Sequence, residues 1–420
     1  MDPARGKAES RRRGSIRPHY GGFQVRVTAG VDPTTGERII LHETVATRRE
    51  AERALTRLLA EADAWKSART KASFGALLDR WLAGHEVAIT TRVTYESLIR
   101  NHIRPALGTV PLTKLHRGAA EILESFYGDL RRCGRRCDRR PFVEHRAPGV
   151  HDCTELGCAP HRCRPLAASS VRQIHAIISG ALSAAVRWGW LPFNPAEAAR
   201  LPARLKPQPH PPSARDAARI IEAAWERDAE FGLYVWLAMV TGARRGELLA
   251  LRWHHIDLDA AILTVRRNYV RANGEGHDKD TKSHQMRRLS IDAATVELIK
   301  RHRAACEQMF AVLGFEIEDD QYVFSAEPDH TRPRDPSSMT RRYGRMVKEL
   351  GIDTHLHELR HYSATELLTA GVDLRTVAGR LGHGDGTTTL RHYAAWVTTA
   401  DQHAASVVSA HLPRPPHATS

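Results

Sequence analysis

Apolar positions begin at strand spacing, change to helical spacing near residue 47, and return to strand spacing once, between residues 262 and 291. Phe23-Gln24-Val25-Arg26-Val27 alternates like a half-buried strand, Asp32 to Gly36 has turn composition, and Arg38 to Val45 predicts a second strand. Thr47 and Glu50 form a capping-box pattern ahead of a helical stripe of Ala51, Ala54, Leu55, Leu58, Leu59 and Ala62. From Lys71 to Pro202 the spacing is helical. Phe74, Leu77, Leu78 and Trp81 share one face, Tyr95, Leu98 and Ile99 begin another, and further helices are expected over 118–130 and 169–188. Pro-rich residues 204–212 read as a stiff linker.

Beyond the linker, Ser213 and Asp216 can cap a helix carrying Ile220, Ile221, Ala224 and Trp225. The run Phe231 to Val240 predicts a buried helix, stopped by Thr241-Gly242 and followed by a helix over 248–253. Residues 262–266 and 287–291 predict the two strands of a hairpin whose loop holds Lys279 and Lys282. Leu356, Leu359, Leu367 and Leu368 give a last apolar stripe, Gly371 stops that helix, and Asp373 caps another over 374–381. The fold class expected is mainly α with small β elements, an α+β protein.

Length and charge turn this pattern into an organisation. A chain of 420 residues predicts two to three domains, and a formal net charge of +14 points to a polyanionic partner, nucleic acid first. The longest apolar run, Leu233 to Val240, is too short to span a bilayer, and Met1 to Arg13 is polar and arginine-rich, so the expectation is a cytoplasmic protein without membrane association or disulfides. The expected divisions are a flexible basic tail (1–18), a small sheet-plus-helix domain (19–66), a helical domain (70–202), the linker (203–212), a third domain (213–400) and a C-terminal tail (401–420). Residues 131–166 interrupt the helical domain with Cys133, Cys137, His145, His151, Cys153, Cys158, His161 and Cys163 among nine arginines. Thiolates and imidazoles at such intervals suit structural zinc, but the spacing is no standard finger and offers more ligands than one ion needs. A reduced, arginine-rich loop is the alternative.

Phosphate chemistry collects in the third domain. Arg244 and Arg245 stand at a helix start, where guanidinium groups and free amides attract phosphate, and Glu247 can orient one of them. His357, Arg360 and His361 share one helical face, and His383 and Tyr393 follow within about forty residues of His357.

In order, these motifs resemble the tyrosine recombinase, or phage integrase, family. Thr241-Gly242-Ala243-Arg244-Arg245-Gly246-Glu247-Leu248 is similar to its first arginine box, Thr281-Lys282-Ser283-His284 to its lysine hairpin, His357-x-x-Arg360 to its second box and Leu381-Gly382-His383 to the next, with Tyr393 at the nucleophile's place. The interval from His383 to Tyr393 is one residue longer than is usual in this family, and Lys279 competes with Lys282 if the hairpin register shifts. The resemblance implies a site-specific recombinase that cuts and rejoins DNA through a covalent 3′-phosphotyrosyl link, integrating or excising a phage or other mobile element. It implies Arg244, Lys282, His357, Arg360, His383 and Tyr393 as catalytic, Glu247 and His361 as supporting, and no catalytic cofactor. Its implied partners are double-stranded DNA attachment sites, a homotetramer on DNA and a directionality factor. The upstream domains resemble an arm-site binding domain and a core-site binding domain, and the cysteine-rich insert resembles that of a subgroup of mobile-element integrases. Two other readings are a type IB-like topoisomerase and a non-catalytic, zinc-containing DNA-binding regulator.

Overall fold

The computed structural model describes residues 14–32, 35–63, 70, 72–204, 209–280 and 286–382. Its contacts divide the chain into two compact units, residues 1–205 and 206–420. It is an α+β protein, with helices carrying most of the apolar burial and the strands forming small antiparallel sheets.

The first unit opens with a three-stranded sheet, β1 (Gly14–His19), β2 (Gly22–Val31) and β3 (Arg38–Val45), in that spatial order. The expected tail over 1–18 therefore ends earlier, because Gly14 to Pro18 pair with Val27 to Phe23. Tyr20-Gly21 joins the first two strands with positive φ at both residues, the two-residue turn that matches strand twist. The strand was hidden because only Ile16 of its six residues is apolar and large. Helix α1 (Arg48–Asp63) starts on the expected box: Glu50 N–H donates to Thr47 Oγ1 (3.3 Å) and Thr47 N–H to Glu50 Oε2 (3.0 Å). It lays Ala51, Ala54 and Leu58 on Val25 and Val27.

A second apolar cluster belongs to α2 (Phe74–Ala83), α3 (Ile89–Leu98), α4 (Arg104–Leu107), α5 (Leu112–Arg132) and α6 (Ala168–Arg187). Helices α3 and α4 run on through a π turn at Ile99–Ile103, placed just before Pro105, which has no N–H to continue an α ladder. The insert between α5 and α6 contains only the two-residue strands β4 (Val143–Glu144) and β5 (Ala159–Pro160), paired with each other. Asn194 ties the end of α6 down: its Oδ1 accepts from Ala196 N–H (3.0 Å), and its Nδ2 donates to Ser179 Oγ (3.0 Å) and Ser183 Oγ (2.9 Å).

The second unit is organised around a helix that is apolar on every side. Helix α7 (Ala214–Arg227) starts on Ser213, whose Oγ accepts from Asp216 N–H, and packs on α8 (Ala229–Thr241), where Phe231, Leu233, Tyr234, Val235 and Leu237 are all buried. Such side chains each contribute about 1.5–3 kcal/mol through burial. After α8 come the short α9 (Arg245–Leu249), then β6 (Ile256–Asp257), β7 (Ile262–Val265), β8 (Arg267–Ala272), β9 (Glu275–Asp280) and β10 (Arg287–Ser290). Helix α9 begins three residues before the expected helix and ends before Trp253, which instead opens a 3-10 turn. The expected strands pair, with β7 between β10 and β6. The stretch expected to be their loop is largely a second hairpin, β8 with β9, turned by Asn273-Gly274 with φ of 53° and 84°. Helices α10 (Ala293–Leu313), α11 (Pro336–Glu349), α12 (Glu358–Thr369) and α13 (Leu374–Leu381) complete the unit. Among the described residues no helix is long and apolar enough to cross a membrane.

Asn194→Ala should lower stability by about 1–3 kcal/mol, because it leaves a buried amide N–H and two serine hydroxyls without this partner. Urea unfolding of the full chain checks it.

Candidate active site

Glu247 holds the centre of the site. Its side chain is 1% exposed, and it accepts from Arg244 N–H (2.8 Å), Arg244 Nη1 (2.9 Å), Arg287 Nη1 (3.2 Å) and Arg287 Nη2 (2.6 Å). Burial works against the charged carboxylate, but the hydrogen bonds and charge of Arg287, with those of Arg244, outweigh it and hold the group below its ordinary range. Arg244 directly precedes α9, and the Glu247 carboxylate that accepts its backbone N–H also aims its guanidinium.

Arg360 is 4% exposed and lies in the first turn of α12. Its Nη1 donates to Gly242 O and its Nη2 to Leu381 O, both at 2.6 Å. These are the carbonyl ends of α8 and α13, where helix dipoles concentrate negative charge, so one cation joins two helix C-termini. Both helices end on a glycine in the left-handed region, Gly242 at φ 61° and Gly382 at φ 70°. A Cβ at Gly242 would come 2.5 Å from Leu381 Cδ2, and one at Gly382 would come 2.6 Å from Arg287 Nη1. Two more arginines finish these ends. Arg380 Nη2 donates to Val240 O and its Nη1 to Ser290 O, while Arg287 Nε donates to Arg380 O, all at 3.1 Å.

A cleft opens beside these groups, lined by Arg244, Arg245, Thr340, His355, His357 and Arg360. Arg245 donates to Thr340 Oγ1 of α11 (2.5 Å), which turns it away from Glu247. His357 precedes α12 directly and meets His361 edge-on, ring centroids 5.1 Å apart at 87°, as the four-residue spacing required. Across the start of α12, Glu358 accepts from the backbone N–H of His210 (3.1 Å).

The structure thus brings together Arg244, Glu247, His357, Arg360 and His361. Lys282, His383 and Tyr393 lie outside the described residues. Lys279 is on β9, opposite Asn268, rather than in a loop. The residue missed from sequence is Arg287. Its signal is register: it occupies the inward position of β10 two residues before Leu289, where an apolar side chain would be expected. The eight cysteine and histidine residues of the insert fall into two groups of four, away from this cleft in sequence and within the first unit.

Residues 213–398 match the phage integrase family, and residues 73–118 match the SAM-like N-terminal domain of phage integrases, together more than half of the chain. The ICEBs1 integrase of Bacillus subtilis is 28% identical over 389 residues, covering 89% of this chain and 93% of its own. A Tn1549 transposon integrase in complex with transposon right end DNA shares the fold, with a TM-score of 0.57 at 16% identity over 76% of this chain and 94% of that one. A lambda integrase tetramer bound to a Holliday junction is similar with a TM-score of 0.50 at 19% identity over 92% of this chain and 96% of that one.

Glu247→Gln should cost about 3–5 kcal/mol, since Arg287 is then a buried cation without its anion. The folded carboxyl is held below its unfolded value, about 4.3, so the contribution is complete above that value and drains away as pH falls through the lower folded one. The stability gap between the two proteins, followed by urea unfolding, should therefore narrow on acidification through that window and not at alkaline pH.

Proposed function

The chain belongs to the phage integrase family of tyrosine recombinases and is a site-specific DNA recombinase, and from that premise we propose how its residues divide the reaction. The observation that supports the division is the shared cleft, where Arg244 and Arg360, each pinned by buried partners, stand with His357. Two fixed cations facing one opening suit a phosphodiester, whose non-bridging oxygens gain charge as a fifth oxygen approaches phosphorus. Their partners hold them before substrate arrives, so little reorganisation is left for the moment of reaction.

In this reading the Tyr393 hydroxyl attacks the scissile phosphorus. A phenol titrates near 10, so its proton must leave as the new bond forms, and His357 accepts it. The P–O5′ bond breaks, the electron pair leaves with the 5′-oxygen, and Lys282 supplies the proton that makes it a hydroxyl. His383 hydrogen-bonds the phosphate, while Glu247 and His361 position Arg244 and His357. The 3′-phosphotyrosyl ester keeps the energy of the cleaved diester, so a second 5′-hydroxyl can reverse the step without a nucleotide cofactor.

The partner that supports this reading is DNA, in keeping with the +14 charge and with the DNA-bound relatives. Assembly as a homotetramer on paired attachment sites follows the same reasoning, and a directionality factor would choose between integration and excision. The small sheet-plus-helix domain would engage arm sites and the helical domain core sites.

Incubation with nicked duplex carrying the DNA that flanks the gene should trap a covalent adduct whose tryptic peptide contains Tyr393, and Tyr393→Phe should abolish it. Adduct at any other residue overturns the assignment. Arg360→Ala should slow strand cleavage by about 10²–10³-fold, the usual cost of losing one transition-state donor. Cleavage should be lost in Lys282→Ala and retained in Lys279→Ala; the reverse result transfers the leaving-group role to Lys279.

A further inference from the structure

Between α5 and α6 the chain runs for more than thirty residues with almost nothing to bury. Cys133 is its one buried apolar residue and the His161 side chain is buried beside it, whereas Phe142, Val143 and Val150 are exposed. Arg136, Asp138 and Arg139 all adopt positive φ, a conformation that costs non-glycine residues about 1–2 kcal/mol each. Neither an apolar core nor a long strand ladder offsets that cost, so this fold needs another source of order.

The cysteine and histidine side chains supply one. All eight candidates are used, each once, in two groups of four whose donor atoms lie within 4.8 Å of one another. We infer that the insert holds two zinc ions, one at its root on Cys133, Cys137, His161 and Cys163, the other at its tip on His145, His151, Cys153 and Cys158. The inference stands apart from the recombination chemistry, since both sites lie outside the residues that match the family and are remote in sequence from the cleft.

Tetrahedral geometry carries the argument. Zinc–sulfur bonds of about 2.3 Å and zinc–nitrogen bonds of about 2.0–2.1 Å put neighbouring donors about 3.3–3.8 Å apart. At the root, Cys133 Sγ is 3.2 Å from His161 Nε2, and Cys137 Sγ is 3.4 Å from Cys163 Sγ. At the tip, His151 Nε2 is 3.3 Å from Cys158 Sγ and 3.7 Å from Cys153 Sγ, and His145 Nδ1 is 3.5 Å from Cys153 Sγ. The Cys137–Cys163 separation is far beyond the ~2.05 Å of a disulfide.

The surrounding contacts orient the ligands as metal sites require. His161 turns Nε2 to the sulfurs and donates Nδ1–H to Glu144 Oε1 (2.7 Å), and His151 turns Nε2 inward and donates Nδ1–H to Gly149 O (2.9 Å). Such outer bonds fix the tautomer and raise ligand basicity. The backbone N–H of Arg146 donates to Cys158 Sγ (3.4 Å), steadying a thiolate. Root and tip are nested: the root clamps both ends of the insert where it leaves α5 and returns to α6, and the tip closes the loop between them, with β4 and β5 in the middle.

Metal analysis of the full chain, purified without chelator, should find two zinc ions per molecule. Cys153→Ala should retain one and Cys163→Ala should lose the root ion, while Cys306→Ala, in the other unit's core, should keep two. Fewer than two zinc ions in the unaltered chain, two still present in Cys153→Ala or Cys163→Ala, iron in place of zinc, or a Cys137–Cys163 disulfide in a non-reduced digest overturns the inference. A second readout needs no variant. Chelation should expose the arginines of 131–164 to trypsin and added zinc should protect them again; cleavage indifferent to metal removal refutes the bracing role.

Discussion

A carboxylate placed where water cannot reach it governs the second unit. Desolvating a charge costs several kcal/mol, so Glu247 is tolerable only with its full set of donors. Those donors are the start of α9, the guanidinium of Arg244 and the inward residue of β10. The helix, the sheet and the cleft therefore share one electrostatic centre, and each holds its position partly because the other two satisfy the same two oxygens.

A similar economy acts on the helix ends. A buried C-terminus leaves carbonyls without intrahelical partners, and α8 and α13 present theirs to the same small region. Three arginines meet this demand, and one of them, Arg360, also reaches the cleft. The requirement for satisfied carbonyls and the placement of a phosphate-binding cation thus have one solution. Left-handed glycines at both helix ends make the approach possible, since a side chain at Gly242 would collide with Leu381.

Much of this was legible before any coordinates. Amphipathic spacing located most helices of the helical domain and α7, α8, α12 and α13 of the next, and cap residues such as Thr47, Ser213 and Asp373 proved to be bonded as their side chains suggest. The arginine box and His357-x-x-Arg360 could be read because motif order survives in one dimension. What stayed hidden had weak local signals. Strand β1 gains its stability from pairing with β2 and not from its own composition. Strand β9, Glu-Gly-His-Asp-Lys-Asp, has no apolar alternation and is held by Arg267 bonds to Asp278 and Asp280, although Asn273-Gly274 was a turn signal to notice. Arg287 escaped because an inward arginine makes sense only beside a buried acid forty residues away. The insert was legible as a reservoir of cysteine and histidine side chains but not as two groups of four, because the groups nest, and nesting is a property of the closed loop.

The clamp on Arg360 also couples two helices mechanically. Charge-assisted hydrogen bonds contribute about 1.5–3 kcal/mol each, and sliding α13 away from α8 would break more than one of them. The two helix ends consequently behave as one rigid block, tied at the carbonyls of Gly242 and Leu381. A guanidinium that faces the cleft is therefore also the fastener of that block, so displacing it from the cleft means separating two helices.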